Sequence, residues 1–432
     1  MAPESTEQES LEIEPCGRLH ASVRPPGSKS ITNRALICAA LAEGNSRLTG
    51  ALDSEDTRVM CEALRQLRVD VTPNSDHTIL EVAGTGGDFG TKAASLFVAN
   101  SGTSIRFLTA LVATGSAAVR LDGIERMRER PIGDLLDALN QLGADTHSEN
   151  HNGCPPVNVA GKGLPGGMAR IQGGISSQYL SGLLMAAPYA RQDVSIQVEG
   201  ELVSKPYVDM TLAVMKSFGI DVESNELRSF EISGSSKYKG CEYFIEPDAS
   251  AASYFWAAAA ICGGEVTVQG LSRDALQGDV EFCDCLAQMG CEVEYNSDSI
   301  TVRSGDQMRG IEVDMNAISD TVQTLSAVAL FADSPTTMTN VGHIRHKETD
   351  RIGDLARELR KFGAQVDETE DSIRVHPAKL SGAVIDTYND HRMAMSLALV
   401  GLQIPGVVIN DPGCTVKTYP NFFADLKSIV GS

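Results

Sequence analysis

Apolar positions along the chain fall into two interleaved helical patterns. The first ends in a recurring junction: LRQLRVDV, LNQLGADT, MKSFGIDV, LAQMGCEV and LRKFGAQV. In each, apolar residues at helical spacing run into one turn position and then into an alternating stretch. Aligning Arg68, Gly143, Gly219, Gly290 and Gly363 gives spacings of 75, 76, 71 and 73 residues. Glycine suits a helix end that must pass through the left-handed conformation. A sixth copy, NFFADLKSIV, ends the chain where its strand would begin. The second series consists of Ala- and Gly-rich segments such as SKSITNRALICAALAEG, SGTSIRFLTALVATG and DASAASYFWAAAAICGG. Their starts align at Ser30, Gly102, Ser177, Asp248, Asp320 and Asp390, at spacings of 72, 75, 71, 72 and 70. These helices are apolar nearly all round, which predicts burial. The first series carries charges and is predicted to lie nearer the surface. Short alternating segments between them, SIQVEG, EVTVQG and SITVRS, read as strands.

The unit is therefore strand, helix, strand, helix, strands, repeated six times. A chain of 432 residues is too long for one ordinary core, so six units predict two α/β domains of three. The aligned starts support that split: the first three are Ser, Gly and Ser, the last three Asp. Any one of these is an ordinary helix cap. Six in one register are a stronger pattern, and two such domains face to face would aim helix N-termini at one anion-attracting cleft.

Composition narrows the partners. Net charge is −21, which argues against nucleic acid and anionic membranes, since both need a basic face. The ten cysteines include no CxxC pair, and Cys283 and Cys285 read as buried thiols rather than metal ligands. Such usage suits a reducing cytoplasm. No run approaches the ~18 apolar residues of a membrane span. The first residues, to about Ser10, read as an acidic, polar tail with no signal core.

Against this acidic background the basic residues gather at loop-to-helix junctions. Lys29 and Arg34 open the first buried helix and Arg106 lies in the second. Arg126, Arg128 and Arg130 fall in DGIERMRERPIGDL, and Lys205 in LVSKPYVDM. Arg345, His346, Lys347 and Arg351 fall in HIRHKETDRIGDL, with Arg392 and Lys417 further on. Singly each reads as a solvated charge. Jointly they predict a substrate with several phosphates or carboxylates. Asp320, Glu348, Asp350 and Asp390 share the field, either as structural ion pairs or as positioned acids and bases. The GSKS fragment at Gly27–Ser30 is not a Walker loop, because the required upstream glycines are missing.

Taken in order, GSKSITNRA, NSGTSIR, RMRERPIGDL, ISSQYLSGLLMAAP, LVSKPYVDMT, DASAASYF, HKETDRI, YNDHRMAM and CTVKTYP resemble the 5-enolpyruvylshikimate-3-phosphate synthase family, from about Pro15 to about Lys427. The resemblance implies two domains, each of three βαβαββ units in an inside-out α/β barrel, with two hinge crossovers. One domain would comprise residues 1–27 and 246–432, the other 28–245, with the active site in the interdomain cleft. It implies transfer of the enolpyruvyl group of phosphoenolpyruvate to the 5-hydroxyl of shikimate 3-phosphate by addition and elimination. No metal or redox cofactor is implied, and a cytoplasmic monomer is.

Residue by residue, the resemblance implies that Lys29, Ser30, Arg34, Ser176, Ser177, Gln178, Ser204, Asp320, His343 and Lys347 contact shikimate 3-phosphate, with Tyr207 a neighbour. Lys29, Gly102, Arg130, Gln178, Arg351, Arg392 and Lys417 would bind phosphoenolpyruvate. Asp320 would be the base, Glu348 the proton donor, and Lys29 would lie between the substrates. Two positions depart from the family pattern: His343 stands where Asn is frequent, and Phe107 where many members have Pro. Gly102 implies sensitivity to glyphosate, a phosphoenolpyruvate mimic. The nearest alternative is a UDP-N-acetylglucosamine enolpyruvyl transferase, which carries a catalytic Cys near RMRERPIG. No Cys lies between Cys61 and Cys154 here. A non-catalytic repeat scaffold is the second alternative.

Overall fold

The computed structural model describes residues 10–431. The chain divides into two compact units. One is the inserted unit Pro26–Asp248; the other joins the stretch up to Pro25 to the chain from Ala249 onward. Each unit has its own apolar core.

Among the described residues twelve α-helices alternate in character, as the two sequence patterns predict. The inserted unit holds α1 (Lys29–Leu41), α2 (Glu55–Gln66), α3 (Gly102–Ala113), α4 (Gly133–Gln141), α5 (Ser177–Ala186) and α6 (Pro206–Ser217). The discontinuous unit holds α7 (Ala249–Cys262), α8 (Phe282–Met289), α9 (Val322–Ala329), α10 (Gly353–Lys361), α11 (His391–Gly401) and α12 (Phe422–Val430). The odd-numbered helices are the buried ones: every residue of α3, α7, α9 and α11 is buried. Their alanines form helix readily and leave room for close packing. Gly182 of α5 shows how close: a Cβ there would lie 3.3 Å from the Arg106 carbonyl of α3. The even-numbered helices bury one stripe and expose the rest.

Among the described residues five four-stranded sheets share one pattern, a parallel pair followed by two antiparallel pairings. In the first, Glu242–Phe244 runs parallel to Asn45–Thr49, which pairs antiparallel with Ile79–Ala83, itself antiparallel to Asp70–Pro73. Its outer strand comes from the end of the inserted unit and so closes the three repeats on themselves. The sixth sheet has three strands. The C-terminal repeat supplies Val384–Ile385 and Val407–Asn410, and Ser10–Ile13 from the start of the chain completes it antiparallel to Val407–Asn410. Ser10, where the polar tail is expected to end, opens a strand, and the rest of that tail, residues 1–9, lies outside the described residues.

The five junction positions all adopt positive φ: 71° at Arg68, 88° at Gly143, 87° at Gly219, 113° at Gly290 and 93° at Gly363. Arg68 holds the same turn as the glycines despite its Cβ. Cys283 and Cys285 are both buried on α8. Among the described residues no helix is long and apolar enough to cross a membrane.

Candidate active site

The starts of the buried helices differ in detail from the aligned register. Ser28, Ser101 and Ser176 are the caps of α1, α3 and α5, accepting the N–H groups of Ile31, Ser104 and Gln178. Ser30, Gly102 and Ser177 therefore fall inside the first turn, where N–H groups lack helical partners. Asp390 caps α11 directly, accepting the Arg392 N–H at 2.9 Å. Asp248 accepts the Lys29 N–H at 3.1 Å, so a carboxylate already occupies part of the α1 terminus. The Lys29 ammonium lies 3.7 Å from Asp56.

Within the inserted unit two arginines tie the helix starts together. Arg34 is 1% exposed. Its guanidinium donates to Thr211 Oγ1 at 2.7 Å, to the Ser30 carbonyl at 2.9 Å, to the Tyr207 carbonyl at 3.1 Å and to Ser181 Oγ at 3.3 Å. It also stacks on Phe107 and Tyr207. Phe107 is thus accommodated as an aromatic floor under Arg34. Burial pulls the Arg34 pKa down to about 10, because all these partners are uncharged. A buried cation without a counter-ion is a strong attractor for an anion beside Ser30. Direct contact is narrower than the sequence implies, since four of its five N–H groups are spent on protein.

Arg106 received no role from the sequence. It donates to Ser176 Oγ at 3.5 Å and to Gln178 Oε1, and stacks on Tyr179. Gln178 Nε2 donates to Thr103 Oγ1 at 3.1 Å, so the Gln178 amide is fixed in orientation from α3. Ser204 precedes α6 with φ of 53°, a conformation that costs a non-glycine residue about 1 kcal/mol and is typical of functional sites.

Of the three arginines in RMRERP, Arg126 pairs with Glu129 at 2.8 Å and Arg128 with Asp122 at 2.7 Å. Arg130 alone turns inward, 3% exposed, donating to the Asn100 carbonyl at 3.1 Å. It lies over Gly102: a Cβ there would sit 2.5 Å from Arg130 Nη2 and 2.8 Å from its Cζ. That atom is the far end of a flexible side chain. Gly102→Ala is therefore expected to fold normally while displacing the guanidinium. If Arg130 holds phosphoenolpyruvate, as the resemblance implies, the lost charge-assisted contact predicts a roughly 10- to 100-fold higher KM for phosphoenolpyruvate, with a parallel loss of glyphosate inhibition. Steady-state kinetics against a thermal melt of the same variant check this.

The discontinuous unit carries the densest charge cluster. Asp320, in a short turn before α9, accepts from Arg392 at 2.7 Å, Arg351 at 3.3 Å and Lys347 at 3.5 Å. Arg351 is 1% exposed and donates to both Asp390 oxygens, at 2.7 and 3.1 Å, and to Glu348 at 2.7 Å. Burial works against the Arg351 charge, but Asp390, Glu348 and Asp320 outweigh it and its pKa is raised. Lys417 lies 3.6 Å from Glu348. Asp350, by contrast, is a structural ion pair. It accepts from Arg345 and from the Ile352 and Gly353 N–H groups that start α10.

His343 is 8% exposed, with Nε2 3.0 Å from Ser319 Oγ. Burial, reinforced by Lys347, depresses its pKa to about 3. The ring is therefore a neutral hydrogen-bonding group at physiological pH, as an Asn would be. A His held neutral in the fold and charged when unfolded stabilises the protein above pH 6.5 and loses that contribution as pH falls toward 3. Between pH 7 and 4.5 the wild type should lose on the order of 2 kcal/mol more stability than His343→Asn. Urea midpoints at the two pH values measure the difference.

Two further side chains were not legible in the sequence. Asn33 and Gln323 occupy the same repeat position, three residues beyond Ser30 and Asp320. Both are fully buried, and their amide atoms have no hydrogen-bond partner among the described residues. Also among the described residues, no group of three or more His, Cys, Asp or Glu is placed to hold a metal ion.

A repeat-built α/β protein with buried arginines at its helix starts is one that handles a small, multiply charged anion. A family model described as EPSP synthase (3-phosphoshikimate 1-carboxyvinyltransferase) matches residues 13–426. Among curated relatives, the 3-phosphoshikimate 1-carboxyvinyltransferase of Trichormus variabilis is 48% identical over 95% of this chain and 96% of its own length. That of Vibrio atlanticus is 49% identical over 98% and 99%. The EPSP synthase structure from Acinetobacter baumannii superposes with a TM-score of 0.82 at 25% identity, covering 97% of this chain and 98% of that one. The chain belongs to the EPSP synthase family, and its activity is that of a carboxyvinyltransferase of the shikimate pathway.

Proposed function

We propose that the chain joins phosphoenolpyruvate to shikimate 3-phosphate through the residues described above. The 5-hydroxyl oxygen adds to C2 of phosphoenolpyruvate while C3 gains a proton. The tetrahedral intermediate then loses a C3 proton and phosphate, leaving the enolpyruvyl ether. Asp320 holds the shikimate hydroxyls and takes the 5-hydroxyl proton, Glu348 delivers the proton to C3, and Lys347 stabilises charge at the 5-oxygen. Ser30, Ser176, Ser177, Gln178, Ser204 and Lys29 hold shikimate 3-phosphate in the field of Arg34, and His343 accepts or donates one neutral hydrogen bond to it. Arg130, Arg351, Arg392, Lys417, Lys29 and the Gly102 N–H hold phosphoenolpyruvate.

The observation that carries the reading is the convergence of Lys347, Arg351 and Arg392 on Asp320, with Lys417 beside Glu348. Without substrate these carboxylates occupy the cations. The carboxylate and phosphate of phosphoenolpyruvate compete for the same cations, and each one drawn to substrate makes Asp320 and Glu348 better proton acceptors. Substrate binding thereby switches on the acid–base pair it needs. The protein is read as a cytoplasmic monomer.

Phosphate release from phosphoenolpyruvate tests the assignment. Release is expected with shikimate 3-phosphate and absent with UDP-N-acetylglucosamine. The reverse preference, or release without any acceptor, would overturn it.

A further inference from the structure

We propose that Cys16 and Cys262 form an oxidisable pair, a disulfide site of the discontinuous unit with a peroxide as the class of oxidant. Their sulfurs lie 3.6 Å apart although the residues are 246 positions apart in sequence. Cys16 sits in the irregular stretch between strands Ser10–Ile13 and Leu19–Val23. It is pinned there through both backbone groups: its N–H donates to the Leu402 carbonyl at 2.8 Å, and its carbonyl accepts from Gln403 Nε2 at 3.1 Å. Cys262 is the last residue of α7.

A disulfide needs the sulfurs at about 2.05 Å, so the pair must close by roughly 1.5 Å. The neighbourhood permits this. With the Cys16 backbone held, the closure falls to rotation about the two Cα–Cβ bonds, beside the open space at Gly17, where an added Cβ would meet nothing within 4 Å. Cys16 is half-buried and reachable from solvent. Cys262 is 8% exposed and lines a cavity of about 510 Å³ together with Arg18, Cys291, Ser304 and Met308. Burial raises both thiol pKa values, which lowers the thiolate fraction and slows attack on peroxide, so oxidation needs excess oxidant.

The step balances. Hydrogen peroxide oxidises the Cys16 thiol to the sulfenic acid and is reduced to water. The Cys262 sulfur then attacks the sulfenic sulfur, the S–O bond breaks, and a second water leaves with the thiol proton. The bond joins the stretch on which the chain leaves this unit, through Leu19–Val23, to α7, on which it returns from Ala249. The closed loop contains the whole inserted unit, and a loop of that length restricts the unfolded chain strongly.

The test is peroxide treatment of the full chain, alkylation, non-reducing digestion and peptide mass spectrometry, with a thermal melt. The expected result is a Cys16–Cys262 peptide, a fall from ten free thiols to eight, and a Tm higher by roughly 5 °C or more. All three should reverse with dithiothreitol. Cys16→Ser and, separately, Cys262→Ser should each lose the cross-link. A Cys262–Cys291 peptide, a Cys16 sulfinic acid with Cys262 still free, or ten thiols remaining would overturn the pairing. A cross-link with unchanged Tm would overturn the stabilisation by loop closure.

Discussion

Asp320→Asn is expected to lower kcat by roughly 10²- to 10⁴-fold, the range for loss of a positioned base, in a protein that still folds. Asn keeps the shape of the side chain and removes only its charge. Its three cations are not left stranded: Arg351 retains Asp390 and Glu348, Lys347 is partly open to water, and the amide oxygen of the substituted side chain can still accept from Arg392. Two roles for Asp320 then separate in the kinetics. If it merely neutralised Arg351 and Arg392, removing it would free those cations, lower KM for phosphoenolpyruvate and spare kcat. If it takes the hydroxyl proton, kcat falls whatever happens to KM, and the acidic limb of the pH–rate profile, which reports the base, changes shape. A variant within threefold of wild-type kcat would remove Asp320 from the acid–base role.

What the sequence allowed follows from the range of the interactions involved. The six repeats were legible because helix periodicity and the left-handed turn are local. Gly143, Gly219, Gly290 and Gly363 mark that turn by their lack of a Cβ, and Arg68 was found only through its register with them. The helix caps were misplaced by one or two residues at α1, α3 and α5, because Ser28 and Ser30, or Ser176 and Ser177, are equally good caps as residue types. Ser10–Ile13 completing the last sheet was not legible, since its partner Val407–Asn410 lies at the opposite end of the chain. Partner choice among charges was equally hidden. HIRHKETDRIGDL offers Arg345 and Arg351 alike, and only packing sends Arg345 to Asp350 at the surface and Arg351 into the core. The positioning roles of Arg106 and Asp390 belong to the same class. Each was visible as a charge near the site, and each gains its role from a second element, α5 for Arg106 and the segment before α10 for Asp390.

Asp390 gives the largest expected loss of stability. Its side chain is fully buried, holds Arg351 through both oxygens and caps α11. Asp390→Ala leaves a buried guanidinium short of its main counter-charge, which typically costs 3–5 kcal/mol, plus about 1 kcal/mol for the cap. Asp390→Ser restores the cap and isolates the charge. Arg351→Met in the Asp390→Ser background then removes the stranded cation, and much of the lost stability should return, because an apolar pair is often no worse than a buried ion pair. Activity should not return, because the guanidinium proposed to receive phosphoenolpyruvate is gone. Denaturant midpoints for the unit that contains α11 should therefore recover from the single to the double variant while kcat/KM for phosphoenolpyruvate stays low. If both recovered together, Arg351 would be a packing residue. If neither recovered, Asp390 would hold more of the fold than its bonds to Arg351 and α11 account for. The divergence is what separates a cation kept for its substrate from one kept for its carboxylate.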